Sequence, residues 1–173
     1  GMETTEAMKL RVSTRDFADR PVPRALVEKI VTGGLYAPVG LKKFPELRLT
    51  VVENAALLAR IDRECRRVPD VSPLHGAPVL IIVSASTEDD ALAHQNAACL
   101  VDHMLLTATD LGLADLYVKG ICPLLEKNES LKAALHIPAG FRPLASAAIG
   151  YAKAAIPLRE RPLNDKTAVE YID

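Results

Sequence analysis

Between about Asp89 and Leu111 runs the longest helical stretch of the chain, and from Asn96 to Leu106 only Asp102 and His103 interrupt its apolar surface. A helix apolar around most of its circumference has no stable place on a surface. It reads as a central core helix with other elements packed around it. Gly112 follows where a C-terminal cap belongs. Around such a helix 173 residues form a single domain spanning 1–173, able to bury roughly 70% of its unfolded surface. With no Trp, three Phe and four Tyr, that core is aliphatic.

The remaining elements follow from periodicity. Glu3 to Leu10 reads as a short helix, and a second helix starts near Pro23, a residue suited to a first helical turn. Leu26, Val27, Ile30 and Val31 form its buried stripe; Gly33-Gly34 weakens it and Pro38-Val39-Gly40 ends it. Leu47 to Val52 alternates as a strand with one wet face. Asn54 caps a helix carrying Leu57, Leu58 and Ile61. The run Pro78 to Val83 is continuously apolar and reads as a strand covered on both faces. Ala114 to Val118 and Pro143 to Tyr151 read as further strands, with a short helix from Asn128 through Leu135 between them. The pattern is α+β, with helices on both faces of one small sheet. The tail from Lys153 to Asp173 holds little apolar surface of its own and reads as lying on another subunit.

Charge and composition exclude several functions. Twenty-one Lys and Arg balance 22 Asp and Glu, so the basic excess of a nucleic-acid partner is missing. No apolar run reaches the ~18 residues of a membrane span. Gly1 ahead of Met2 reads as the scar of tag removal, and no signal-peptide stretch follows it. Cys65, Cys99 and Cys122, odd in number and without C-x-x-C spacing, read as reduced thiols of a cytoplasmic protein, with no metal expected. Cys99 and His103 share a helix face, but no third partner is visible. Arg60, Arg63 and Arg67 make a stripe at helical spacing that reads as a solvated face, with steering of an anionic nicotinamide cofactor as the alternative. No nucleophile, zinc or dinucleotide signature occurs.

The informative residues lie near the two ends. In Arg11-Val12-Ser13-Thr14-Arg15 an extended backbone points Arg11, Ser13 and Arg15 to one side. Guanidinium forks and a hydroxyl suit a phosphate. Arg159-Glu160-Arg161 repeats the alternation, and convergence of the two segments suits a phosphomonoester.

Six loose elements then line up in order. They are Arg11 to Phe17; Ala37-Pro38-Val39-Gly40-Leu41-Lys42-Lys43-Phe44-Pro45; Gly76-Ala77-Pro78-Val79; Ala108-Thr109-Asp110-Leu111-Gly112-Leu113; Pro138 to Pro143 with Gly150-Tyr151; and Arg159-Glu160-Arg161-Pro162-Leu163. In this order they resemble the nitroreductase family of FMN-dependent NAD(P)H oxidoreductases along nearly the whole chain. The resemblance implies an αβα sandwich with a central mixed sheet, and an intertwined homodimer with FMN at the subunit interface. The arm of about 153–173 would wrap the partner. It implies phosphate and ribityl contacts from Arg11, Val12, Ser13 and Arg15, and phosphate contacts from Arg159 and Arg161. Pro38, Val39, Gly40 and Lys42 would form the loop that reaches the flavin of the other subunit. Tyr117, Val118, Lys119 and Gly120 would lie along the isoalloxazine ring, with backbone N–H groups facing its N5.

The implied activity is ping-pong transfer from NADH or NADPH, through FMN, to a nitroaromatic, quinone or similar acceptor. The flavin carries the chemistry and no side chain acts as nucleophile or base. Departures from the family pattern at Val39, Lys42 and Phe44 motivate an alternative, a dimeric flavin-binding protein without efficient turnover. No residue pattern points to a specialised chemistry such as flavin breakdown or dehalogenation.

Overall fold

The computed structural model describes residues 1–157 and 161–173. Its centre is a four-stranded sheet of β1 (Leu47–Val52), β2 (Val79–Ala85), β3 (Ala114–Tyr117) and β4 (Arg142–Gly150), in the order β1-β2-β4-β3. All three strand pairs are antiparallel. The mixed sheet implied by resemblance is therefore antiparallel within this chain; the parallel element is an isolated bridge between Ser13 and Asp115.

Strand periodicity divides the core in two. In β2, Val79, Ile81, Val83 and Ala85 face one layer, while Leu80 and Ile82 face the other. Each side chain is buried, which is why the run carries no polar alternation. The first layer is α2 (Arg24–Leu35) and α4 (Asp90–Asp110). The second is α3 (Ala55–Glu64), α5 (Cys122–Glu126) and α6 (Glu129–Ala134). The short α1 (Thr4–Leu10) precedes them, with Ala7 buried.

The core helix behaves as its composition demands. Ala93, Ala97, Leu100, Met104 and Ala108 are buried at three- and four-residue spacing, and Ala97, Met104 and Ala108 have no exposed surface. Truncating Met104 to Ala costs about 2–5 kcal/mol by the usual cavity penalty. Asp89 caps the helix by accepting from Leu92 N–H, and Gly112 ends it at φ +77°. Asn54 and Asn128 cap α3 and α6 through Leu57 N–H and Leu131 N–H.

Two readings change. Gly33 and Gly34 do not interrupt α2; they let it approach α4. A Cβ on Gly33 would lie 2.1 Å from Thr107 Oγ1, and one on Gly34 would lie 2.7 Å from Met104 Cγ. The tail is not poor in apolar side chains: Leu163, Val169, Tyr171 and Ile172 all stand exposed.

Candidate functional site

The segment after α1 has an extended backbone because its hydrogen bonds go sideways. Thr14 N–H donates to Asp115 O at 2.9 Å, and Phe17 N–H donates to His75 O at 3.1 Å. Ala18 N–H donates to Tyr151 O at 2.8 Å, and Lys153 N–H donates to Asp16 O at 3.0 Å. Residues 13–18 thereby cover the outer edge of β3 and the end of β4. The C-terminal segment joins them: Arg161 N–H donates to Lys9 O at 2.8 Å, and its guanidinium reaches Met8 O at 3.5 Å. The structure thus brings Arg161 beside the end of α1, close in sequence to Arg11. Arg159 lies outside the described residues.

Side chains along this segment go three ways. Thr14 is buried, Val12 lines a cavity of about 300 Å³ shared with Asp115, and Arg15 lines a separate cleft of about 200 Å³. Arg11 turns inward, donating from Nη1 to Asp115 Oδ1 at 3.3 Å.

The cleft is lined by three cations, with a histidine beside them. Arg15, Arg67, Lys119 and His75 line it together with Tyr117, Val118 and Gly120. Arg60 pairs with Glu64 and Arg66 with Asp62, both at helical spacing, whereas Arg15, Arg67 and Lys119 have no acidic partner among the described residues. The backbone N–H groups of Lys119 and Gly120 likewise donate to no described group. Gly120 matters sterically: a Cβ there would stand 3.2 Å from Arg67 Cδ, so the glycine lets the arginine lie against the backbone.

Thiol chemistry does not fit. Cys65 also lines the cleft, but burial pushes its thiol up to about 11, and burial pushes that of Cys122 up to about 12. Both stay protonated at neutral pH and are poor nucleophiles. Among the described residues no group of His, Cys, Asp or Glu could hold a metal ion.

Pro38, Val39, Gly40 and Lys42 line no part of this cleft in the same chain. Their loop is pinned from below: Gly40 N–H donates to Asn96 Oδ1 at 2.8 Å, and a Cβ on Gly40 would meet Leu92 Cδ1 at 2.6 Å. Leu41 and Lys42 both adopt positive φ, 56° and 53°, in a 3₁₀ turn that leaves Leu41 and Lys42 exposed. A cavity of about 850 Å³ beside α3 contains none of the predicted cofactor-contact residues, although Arg63 and the Gly76-Ala77-Pro78-Val79 element line it.

Two residues escaped the sequence reading. Arg67 falls on the 60–63–67 stripe only if the helix continues, and α3 ends at Glu64. Asp115, 1% exposed on β3, reads in the sequence as an ordinary strand position. Its signal was a carboxylate inside an apolar strand, where a charge needs a specific partner. It has two, Arg11 and the Thr109 hydroxyl, which donates to Oδ2 at 2.8 Å. Burial nevertheless dominates and pushes the Asp115 carboxyl up to about 6.

Comparison with known proteins bears on the fold. The sequence profile described as the Nitroreductase family matches residues 8–73, which span Arg11, Ser13, Arg15 and Arg67. A relative from Methanothermobacter thermautotrophicus, provisionally named NADH dehydrogenase/NAD(P)H nitroreductase, is 29% identical over 157 residues, covering 87% of this chain and 78% of its own. A nitroreductase with bound FMN from Bacteroides fragilis superposes with a TM-score of 0.85 at 24% identity, over 99% of this chain and 100% of that one. Another with bound FMN, from Desulfitobacterium hafniense, gives 0.85 at 23% identity over 100% of both chains. The two solved structures share this fold.

Proposed function

We propose, from its likeness to the nitroreductase family, that the chain is an FMN-dependent oxidoreductase using NADH or NADPH. One observation carries the reading. Arg15, Arg67 and Lys119, three cations without acidic partners among the described residues, line a cleft together with the unpaired backbone N–H groups of Lys119 and Gly120. That donor set fits FMN, whose phosphate and polar ring edge need donors and whose ring needs a flat wall.

The chemistry FMN supplies when bound is two-electron redox, serving a ping-pong exchange between NADH or NADPH and a nitroaromatic, quinone or related acceptor. The protein's own part is binding and electrostatics. Arg11, Ser13 and Arg161 would hold the phosphate, with Val12 alongside; Arg159, the other expected phosphate contact, lies outside the described residues. Arg15 and Arg67 would keep positive potential at the polar edge of the ring, where negative charge develops on reduction. The Lys119 and Gly120 N–H groups would donate to the ring, with Tyr117 and Val118 fixing the backbone that aims them.

We further propose a homodimer. A cleft of about 200 Å³ is below the roughly 300 Å³ of ordinary small-molecule sites, so a second wall has to close it. The loop of Pro38, Val39, Gly40 and Lys42 from a partner would be that wall. Supporting the dimer, Leu163, Tyr171 and Ile172 are each at least 90% exposed, and the hydrogen bonds described beyond Arg161 stay within the tail. The three cysteines form no disulfide, in keeping with a reducing cytoplasm.

The test is spectroscopic. The purified full chain, incubated with FMN and desalted, should be yellow, and NADH or NADPH should bleach it under anaerobic conditions. Yellow without bleaching by either donor selects the flavin binder without turnover. A protein that takes up no FMN defeats the reading.

A further inference from the structure

We propose that Asp115 is a positioning residue for the phosphate end of this site, holding Arg11 by a single hydrogen bond and taking up a proton from solvent when FMN binds. The proposal rests on the FMN reading above. Its geometric basis is a buried carboxylate directly behind a cation that would face the phosphate.

Asp115 sits between three elements. From the end of α1 comes Arg11, whose Nη1 is 3.3 Å from Oδ1, while its other N–H groups remain available. Its side chain is 18% exposed, so it reaches solvent from an anchored base. From α4 come the Thr109 hydroxyl, at 2.8 Å from Oδ2, and the more distant charge of Asp102. From β4 the register partner is Ile149, which offers no polar group. Across the cavity of about 300 Å³ that Asp115 lines stand Arg20 and Tyr151, stacked at 3.8 Å. Arg11 is therefore the only cation that touches the carboxylate among the described residues.

An ionised Asp115 both aligns Arg11 and competes for its charge. A phosphate dianion brought to the far side of that guanidinium adds a like charge, which favours the neutral carboxyl. Neutral Asp115 keeps the alignment: one oxygen still accepts from Arg11, and the O–H donates to Thr109 Oγ1. Its folded carboxyl value, about 6, places the exchange within reach of ordinary conditions. Asparagine imitates the neutral form, with Oδ1 accepting from Arg11 and Nδ2 donating to Thr109. Alanine removes the anchor altogether. The two substitutions should therefore move affinity in opposite directions, which a merely structural carboxylate would not do.

The experiment measures the FMN dissociation constant by flavin fluorescence quenching for parent, Asp115→Asn and Asp115→Ala. It runs from pH 5 to 8 at fixed ionic strength. Dividing parent by Asp115→Asn at each pH cancels the titration of the phosphate itself, whose second pKa is about 6. The ratio should be near one at pH 5 and rise to roughly three- to tenfold above pH 7, because one like charge acts across a partly screened distance. Asp115→Ala should bind about tenfold more weakly than parent, the scale of one lost charge-assisted contact. Riboflavin, lacking the phosphate, should give the same constant for parent and Asp115→Asn. A flat ratio, an Asp115→Asn as weak as Asp115→Ala, or an equal shift with riboflavin overturns the role of Asp115 while leaving FMN binding intact. If Asp115→Ala does not fold, the parent-to-Asn ratio alone decides. A parent that takes up no FMN overturns both readings.

Discussion

Arg66 and Arg67 are neighbours with opposite fates. Arg66 closes back on Asp62 at 2.9 Å, while Arg67 leaves the end of α3 and lies against Gly120 in the cationic cleft. If Arg67 faces the polar edge of the flavin, Arg67→Gln should lower the two-electron midpoint potential by roughly 30 mV, the equivalent of about 1.4 kcal/mol. Redox titration against a reference dye checks this, and an unchanged potential removes Arg67 from the site. Asp115 makes a separate prediction about the apoprotein. Its carboxyl rises to about 6 in the fold against about 3.9 unfolded, a difference worth roughly 3 kcal/mol. Because the folded value is raised, this stability is full below the unfolded value and is lost as pH rises through the folded one. Denaturant midpoints of parent should thus fall between pH 4 and 7 more than those of Asp115→Asn. Asp115 was not legible as functional in the sequence, and Arg67 only as part of a stripe that the structure breaks, for physical reasons. Helical spacing grouped Arg67 with Arg60 and Arg63, but the helix had already ended. A single strand gives no hint of which charge will meet Asp115 from 104 positions away.

At the level of elements the period-two and period-3.6 patterns were sufficient for the strands and long helices, and the asparagine caps behaved as their side chains require. What the patterns missed depends on neighbours. The five-residue α5 begins Cys-Pro and is too short to show a period. The glycines of α2 were read through propensity, yet their role is close approach to α4. That reversal is testable. Gly→Ala inside a helix ordinarily stabilises by about 1 kcal/mol. Gly33→Ala puts a methyl 2.1 Å from Thr107 Oγ1, which is itself bonded to His103 O at 2.7 Å. The overpacking cost of about 1–3 kcal/mol should prevail, lowering the melting temperature by several degrees in calorimetry. A higher melting temperature would show that Thr107 swings aside without loss.

For the whole molecule, six loose motifs in order carried more information than any one residue type, because order constrains topology whereas composition does not. The expectation that the tail lies on another subunit rests only on what it lacks, a core of its own to pack on. If it clasps a second copy, removing residues 162–173 while keeping Arg161 should shift the sedimenting species from dimer to monomer and abolish FMN retention at micromolar concentration. A truncated chain that stays dimeric and yellow would assign the interface to other surfaces.

The stitching of residues 8–18 to residues 151–153 and 161 has a consequence for how such a protein comes into being. During synthesis residues 8–18 wait until residues 151–153 and 161 have been added before these contacts can form. Closing a loop of that length costs only about 0.6 kcal/mol more for each doubling, so the delay is one of order of synthesis rather than of energy. A chain elongated only as far as α4 therefore has β2 and the core helix in hand before these contacts exist. On the proposed FMN reading, cofactor capture would then report that residue 161 has been added.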